Sequence, residues 1–359
     1  MPRRPTPIPR IVLDRRRFIG SSLAVAAIAP IAPRQARAAG VVNVYNWDTY
    51  IGEDTLDQFT EATGIDVRYD LFASNDELFA KLKEGNPGYD VIVPTNDFTE
   101  RMIIAEMIQP LDHGKIPNVS NIAERFSDPG FDPGRQFSMP YMWGTMGIGY
   151  RTTEADPAPT QWADIFDSDQ FSGRMSILND TATLQIVFKY LGESLNSTDP
   201  ALVEKAADVL IKAKPHITAF SPDTGQDLLL SGEVDACLEW SGDVLQVIEE
   251  DDELAYVVPE EGSLLWEDTL CIATGAPNSD SAHAFINFIL EAEVHGAIAE
   301  YIKYGCPNEA AMAFIPEEDL NNPQIYPPEE VLARCEVPVY PGEEAQGARD
   351  KALTRVLAA

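Results

Sequence analysis

From residue 41 onward the chain alternates short apolar runs with amphipathic ones, and no other feature restricts its fold as strongly. Residues 41–45 are apolar and strand-like. Residues 53–63 set Leu56, Phe59 and Thr60 on one helical face and stop at Gly64. A second strand is expected at 65–69. Ser74-Asn75-Asp76-Glu77 is a capping box that opens a helix running to Lys83. A buried-type strand at 89–93 is broken by Pro94, and 98–106 is helical again. Strand–helix alternation of this kind predicts an α/β fold with a mostly parallel sheet covered on both faces. In such sheets ligands bind beyond the carboxyl ends of the strands. Residues 47–50 and 95–97 occupy that position.

A second half begins near residue 144. Residues 146–150 form a glycine-spaced strand able to cross between the halves. Strands are expected at 174–178, 234–240, 255–259 and 266–274. Helices are expected at 183–191, 200–212 and 282–290, with one closing at 228–232 and a last one over 342–359. There are no internal repeats.

The first 38 residues read as an export leader outside the fold. Asp14-Arg15-Arg16-Arg17-Phe18-Ile19-Gly20 is a twin-arginine signal, 21–32 is a weakly apolar run of small residues, and Ala36-Arg37-Ala38 offers a cleavage site. The run is too short and too rich in Ala and Pro to span a membrane, which takes ~20 apolar residues. No later segment is apolar enough either. The expected location is therefore the periplasm.

The remaining 321 residues suffice for two lobes with separate cores. The leader holds eight Arg and one Asp, so the 26 basic and 58 acidic residues become 18 and 57, a formal charge of −39. Such a balance argues against nucleic acid or anionic membrane as a partner. A ligand site needs only a few carboxylates, because charges beyond ~8–10 Å are screened. Most of this charge is read as adaptation to high salt. Four cysteines are too few for a disulfide scaffold. Cys237 and Cys271 read as buried thiols, while Cys306 and Cys335 lie in loops where a bridge is possible.

The four histidines form no metal-binding spacing, and no nucleophile elbow, P-loop or dinucleotide fingerprint occurs. No metal or cofactor and no catalytic group are expected. What remains is a set of tryptophans followed by carboxylates: Trp47-Asp48, Trp240-Ser241-Gly242-Asp243 and Trp266-Glu267-Asp268. An aromatic face attracts positive charge and a carboxylate pairs with it, so each box suits an organic cation. In a chain this acidic, one box is uninformative, and Trp162-Ala163-Asp164 reads as helix packing. Boxes at strand ends in both halves describe facing walls of one cleft. A receptor for any small organic amine and a secreted enzyme using an acid pair both remain compatible with these residues.

From about residue 42 to its end, the chain resembles the periplasmic polyamine-binding proteins, the spermidine/putrescine receptors of ABC importers. The resemblance is carried by Tyr45-Asn46-Trp47-Asp48-Thr49-Tyr50-Ile51, Phe59-Thr60-Glu61-Ala62-Thr63-Gly64-Ile65, Tyr89-Asp90-Val91-Ile92-Val93-Pro94-Thr95 and Met139-Pro140-Tyr141-Met142-Trp143-Gly144. Further on it is carried by Trp240-Ser241-Gly242-Asp243-Val244, Trp266-Glu267-Asp268 and Ile325-Tyr326-Pro327-Pro328. It implies a two-lobed type II binding-protein fold, with lobe 1 as 39–146 and 267–312 and lobe 2 as 147–266 and 313–359. It implies a monomer that binds a polyamine by cleft closure and hands it to ABC permease subunits. The implied ligand contacts are Trp47, Asp48, Tyr50, Thr95, Asp97, Asp180, Ser221, Trp240, Asp243, Trp266, Asp268 and Tyr304. Asp243 resembles the putrescine-preferring members. Thr183 stands where members often carry a Glu three residues after the Asp matched by Asp180, which disfavours a longer triamine. The position near Glu336 often bears a Gln.

Overall fold

The computed structural model describes residues 40–359; the leader expected at 1–38 lies outside the described residues. Nine strands form one continuous hydrogen-bonded array: β1 (Gly40–Trp47), β2 (Ile65–Phe72), β3 (Val91–Ile92), β4 (Ser138–Arg151), β5 (Met175–Leu178), β6 (Ala219–Ser221), β7 (Ala236–Trp240), β8 (Leu254–Val257) and β9 (Leu265–Ile272). The order is β2-β1-β3-β9-β4-β7-β5-β6, with β8 also on β4. The pairs β1/β2, β1/β3, β5/β6 and β5/β7 are parallel, as the strand–helix alternation requires. The middle is not: β9 runs antiparallel to β3 and β4, and β4 antiparallel to β7 and β8. The expected mostly parallel sheet is therefore two parallel wings joined by an antiparallel centre.

β4 makes the join. Ser138 to Thr145 pair with β9, and Met146 to Tyr150 pair with β7. Its glycines allow close crossing. A Cβ on Gly144 would lie 2.8 Å from the Trp266 ring, and one on Gly147 would lie 2.5 Å from the Tyr256 ring and the Val257 carbonyl. β1 is buried towards both faces, whereas β2 alternates half-buried and exposed residues as an edge strand does.

One core gathers Val42, Val44, Val91, Ile92, Leu270, Ile272, Phe59 and Phe285. A second gathers Met146, Ile148, Ile177, Leu184, Phe188, Leu210 and Val356. A smaller third packs Leu229, Val234, Val244 and Leu254. Trp240 packs against the first two cores. Ile315 and Leu320, assigned from sequence to the second half, pack with the first core. So does Trp266, which the same division also placed in the second half.

Local signals act as expected, with shifts of one or two residues. Gly64 caps the helix Thr55–Thr63 with left-handed φ 73°. Ser74 accepts the Glu77 N–H at 3.1 Å, but the Glu77 carboxylate reaches Ala73 N at 3.0 Å instead of Ser74. The helix read at 98–106 is Asn96–Ile104, and the last is Glu343–Ala358. Trp162 is fully buried, and its Nε1 donates to the Gly262 carbonyl at 2.9 Å. All four cysteines are free thiols, so the bridge left open for Cys306 and Cys335 is absent. No helix among the described residues is long and apolar enough to cross a membrane.

Candidate functional site

The carboxyl ends of β1 and β7 converge with the start of β9 and the loop after β3. β9 reverses direction relative to β3, which brings the beginning of that strand, with Trp266 and Asp268, to the edge where β1 ends. Trp47 is the last residue of β1; its Nε1 donates to the Val93 carbonyl at 2.9 Å and its ring packs on Phe72 at 4.5 Å. These contacts hold its ring in place. Thr95 bridges to Asp268 across β9, and Asn75 fixes it by donating to Oγ1 at 2.8 Å and accepting from its N–H at 3.1 Å.

The opposite wall comes from β7 and the helix Ser241–Ile248. Trp240 precedes that helix and Asp243 sits in its first turn. Tyr304 follows the helix Ala292–Ile302, which Lys303 ends in the left-handed region with φ 58°. The Tyr304 hydroxyl accepts the Asp243 N–H at 3.2 Å. Gly242 lies under the Tyr304 ring, where a Cβ would come within 2.4 Å of ring carbons. Trp266 meets Trp240 and Tyr304 edge-on at 5.8 and 5.1 Å, and Tyr50 meets Tyr304 edge-on at 5.3 Å.

Together Trp47, Asp48, Tyr50, Thr95, Asp223, Trp240, Asp243, Trp266, Asp268 and Tyr304 line a cleft holding about 340 Å³ of space between atoms. No Lys, Arg or His lines it. Asp243 and Asp268 are buried, and neither has a basic partner among the described residues. Tyr50 Oη, Trp266 Nε1, Asp223 Oδ1 and Asp268 Oδ1 are buried without a hydrogen-bond partner. Burial pushes the Asp268 carboxyl up to about 7, against the hydroxyls of Thr95 and Tyr50 and with help from the Asp223 charge. Burial also lifts Asp243 to about 7, opposed by the Tyr304 hydroxyl and reinforced by Asp268. Burial raises Asp223 and Glu239 well above the carboxylate range, helped at Asp223 by the Asp243 charge and at Glu239 by the Asp223 and Asp243 charges. The cleft thus gathers acids against an aromatic wall, where burial favours their protonated forms until a cation arrives, and its lining supplies no positive charge.

Three sequence candidates lie elsewhere. Asp97 falls in the first turn of its helix, half-buried, where it faces Arg349 and Asp76. Asp180 spends Oδ1 on the Ala182 N–H at 2.8 Å at the start of the next helix, beside Asp97 and Asp350. Ser221 ends β6, buried and with Oγ unpartnered, but does not line the cleft. Thr183 Oγ1 donates to the Leu178 carbonyl and Glu336 pairs with Lys189, so both serve structure. Asp223 and Glu239 were missed. Asp223 follows Phe220 at the spacing of the Trp240–Asp243 box, but the boxes were read from tryptophans alone; Glu239 precedes its Trp, whereas the boxes were read downstream.

The family description "bacterial extracellular solute-binding protein" matches residues 54–325. The chain belongs to that family. Among its relatives is the putrescine-binding periplasmic protein SpuD of Pseudomonas aeruginosa, 33% identical over a 361-residue alignment covering 95% of this chain and 97% of the relative. The spermidine/putrescine-binding periplasmic protein of Escherichia coli is 35% identical over 295 residues, covering 81% and 84%. A solved structure described as a putative spermidine/putrescine ABC transporter from Listeria monocytogenes superposes with a TM-score of 0.85 at 30% identity, covering 89% of this chain and 99% of that one. As a solute-binding protein the chain needs no catalytic group, and the α/β architecture is that of its relatives.

Proposed function

We propose that this solute-binding protein is a periplasmic polyamine receptor, with the diamine putrescine as preferred ligand, serving an ABC importer. The observation that carries this reading is the pair of buried carboxylates, Asp243 and Asp268, in an aromatic cleft with no basic partner. A buried anion is costly until a cation pairs with it. A diamine brings an ammonium group at each end, and its methylenes suit the flat faces of Trp47, Trp240 and Trp266. The relatives named for putrescine or spermidine support the same ligand class. Asp243 and the absence of a free acid at Thr183 favour the shorter amine. Asp97, Asp180 and Ser221 are not assigned to the ligand.

The two large cores act as lobes in this reading, hinged on β4, which pairs with β9 over its first half and with β7 over its second. The packing of Ile315 and Leu320 with the first core supports a last passage into the second lobe after residue 320. Closure traps the ligand and presents a joined surface to the permease. Export by the twin-arginine route belongs to the same proposal, on Arg15-Arg16-Arg17-Phe18-Ile19.

Mass spectrometry of the small molecules released by denaturing the purified protein tests this directly. Unmodified putrescine or another polyamine is expected. Recovery of a non-amine solute, or of a chemically converted amine, would overturn the reading.

A further inference from the structure

We propose that Asp223 joins Asp243 in receiving one end of the ligand, so that this end of the cleft selects a primary ammonium. The inference rests on the amine-receptor reading above. Asp223, Glu239 and Asp243 each place a carboxylate oxygen within 4.8 Å of the other two. None of the three has a Lys, Arg or His at ion-pair distance among the described residues. Their settings differ. Glu239 is fully buried and both oxygens are already engaged, Oε1 by the Trp240 N–H at 3.1 Å and Oε2 by the Gly225 N–H at 3.0 Å. It has no acceptor left for a ligand and forms a fixed polar wall behind the cleft.

Asp223 lines the cleft itself, and its Oδ1 is shielded from solvent with no hydrogen-bond partner. A buried carboxyl beside two others takes up a proton unless a cation is present to pair with its ionised form. The walls offer no cation, so the ligand must bring it. Asp223 follows β6 and Asp243 begins a helix after β7, so two chain segments present acceptors around one point. A primary ammonium has three N–H donors and can serve both carboxylates at once. A dimethylated end keeps the charge but has a single donor, and so leaves one acceptor unmet.

Calorimetry on ligand-stripped protein tests this with putrescine and tetramethylputrescine. Asp223→Asn is expected to weaken putrescine at least tenfold while leaving the ligand-free melting temperature equal or higher, because a like charge is removed. Asp223→Ser provides the same comparison should the Asn variant misfold. On the unsubstituted protein, tetramethylputrescine is expected to bind at least tenfold more weakly than putrescine. Putrescine affinity within twofold of wild type in Asp223→Asn, or equal affinity for the two amines, would overturn this inference alone. Calcium binding that Asp223→Asn abolishes while putrescine is unaffected would also overturn it, in favour of a metal. No amine binding by the unsubstituted protein would overturn the receptor reading and this inference with it.

Discussion

Asp243 and Asp268 are carboxylates that the fold leaves without a counter-charge, and that makes their behaviour measurable. Removing one should leave the ligand's ammonium buried and unpaired, so Asp268→Asn is expected to weaken putrescine by ~2–5 kcal/mol. Calorimetry showing unchanged affinity in that variant would remove Asp268 from the site. Their pKa values, raised to about 7, also set a pH dependence. A diamine pairs with the ionised form, so affinity should rise between pH 6 and 8 and level off above. Below about pH 7 it should fall by up to about tenfold per unit for each group. Stability of the ligand-free protein runs the opposite way. The native state holds these protons at pH values where the unfolded chain has released them. Their contribution is therefore full below the unfolded Asp value of about 4 and lost as pH rises through about 7. Ligand-free melting temperatures of Asp243→Asn should accordingly exceed wild type at pH 8 and match it near pH 4. Trp47, Trp240 and Trp266 were legible in sequence because each aromatic stands beside an acid near a strand terminus. Asp97 does not line the cleft: the helix starts at Asn96, two residues before the periodicity suggested, and Asp97 sits in its first turn near the Arg349 charge. Asp223 was not legible because its local mark is a Phe, Phe220, on the three-residue β6, and only the fold around that strand brings the carboxyl to the cleft.

At the scale of elements, the cleft depends on close approaches that tolerate no extra atom. Gly242 opens the helix that carries Asp243, directly beneath the Tyr304 ring. Gly242→Ala must displace that ring, with an expected cost of ~1–3 kcal/mol in denaturant unfolding and a loss of amine affinity. Wild-type stability together with wild-type affinity would show that Tyr304 is not held there. Parallel wings were legible from strand–helix alternation because a crossover helix forces its strands parallel. The antiparallel centre was not legible. Periodicity in 266–274 reveals a strand but not its direction, and direction decides whether Trp266 stands at the cleft or at the far edge. β4 was read only over 146–150, since its first half, Ser138 to Thr145, lacks strict alternation and includes Pro140 at a register shift.

Across the whole molecule, the acidic surface and the two cores set the working conditions. Of the 57 acidic residues after the leader, Asp48, Asp223, Asp243 and Asp268 line the cleft, and salt screens the repulsion among exposed acids elsewhere. The melting temperature should therefore rise steadily as KCl is raised from low-salt buffer towards molar concentrations. A flat response would remove high-salt adaptation as the reason for the composition. Two cores were anticipated from length, but their membership was not. Residues such as Ile315 and Leu320 return to the first core through contacts distant in sequence. The cleft sets unpaired acids between aromatic walls and calls for a cationic ligand. Isothermal titration of putrescine into ligand-stripped protein at pH 8 tests it most directly. Saturable binding of one putrescine per chain, lost on Trp266→Ala, is the predicted result. No binding of putrescine, spermidine or any related amine under those conditions would contradict it.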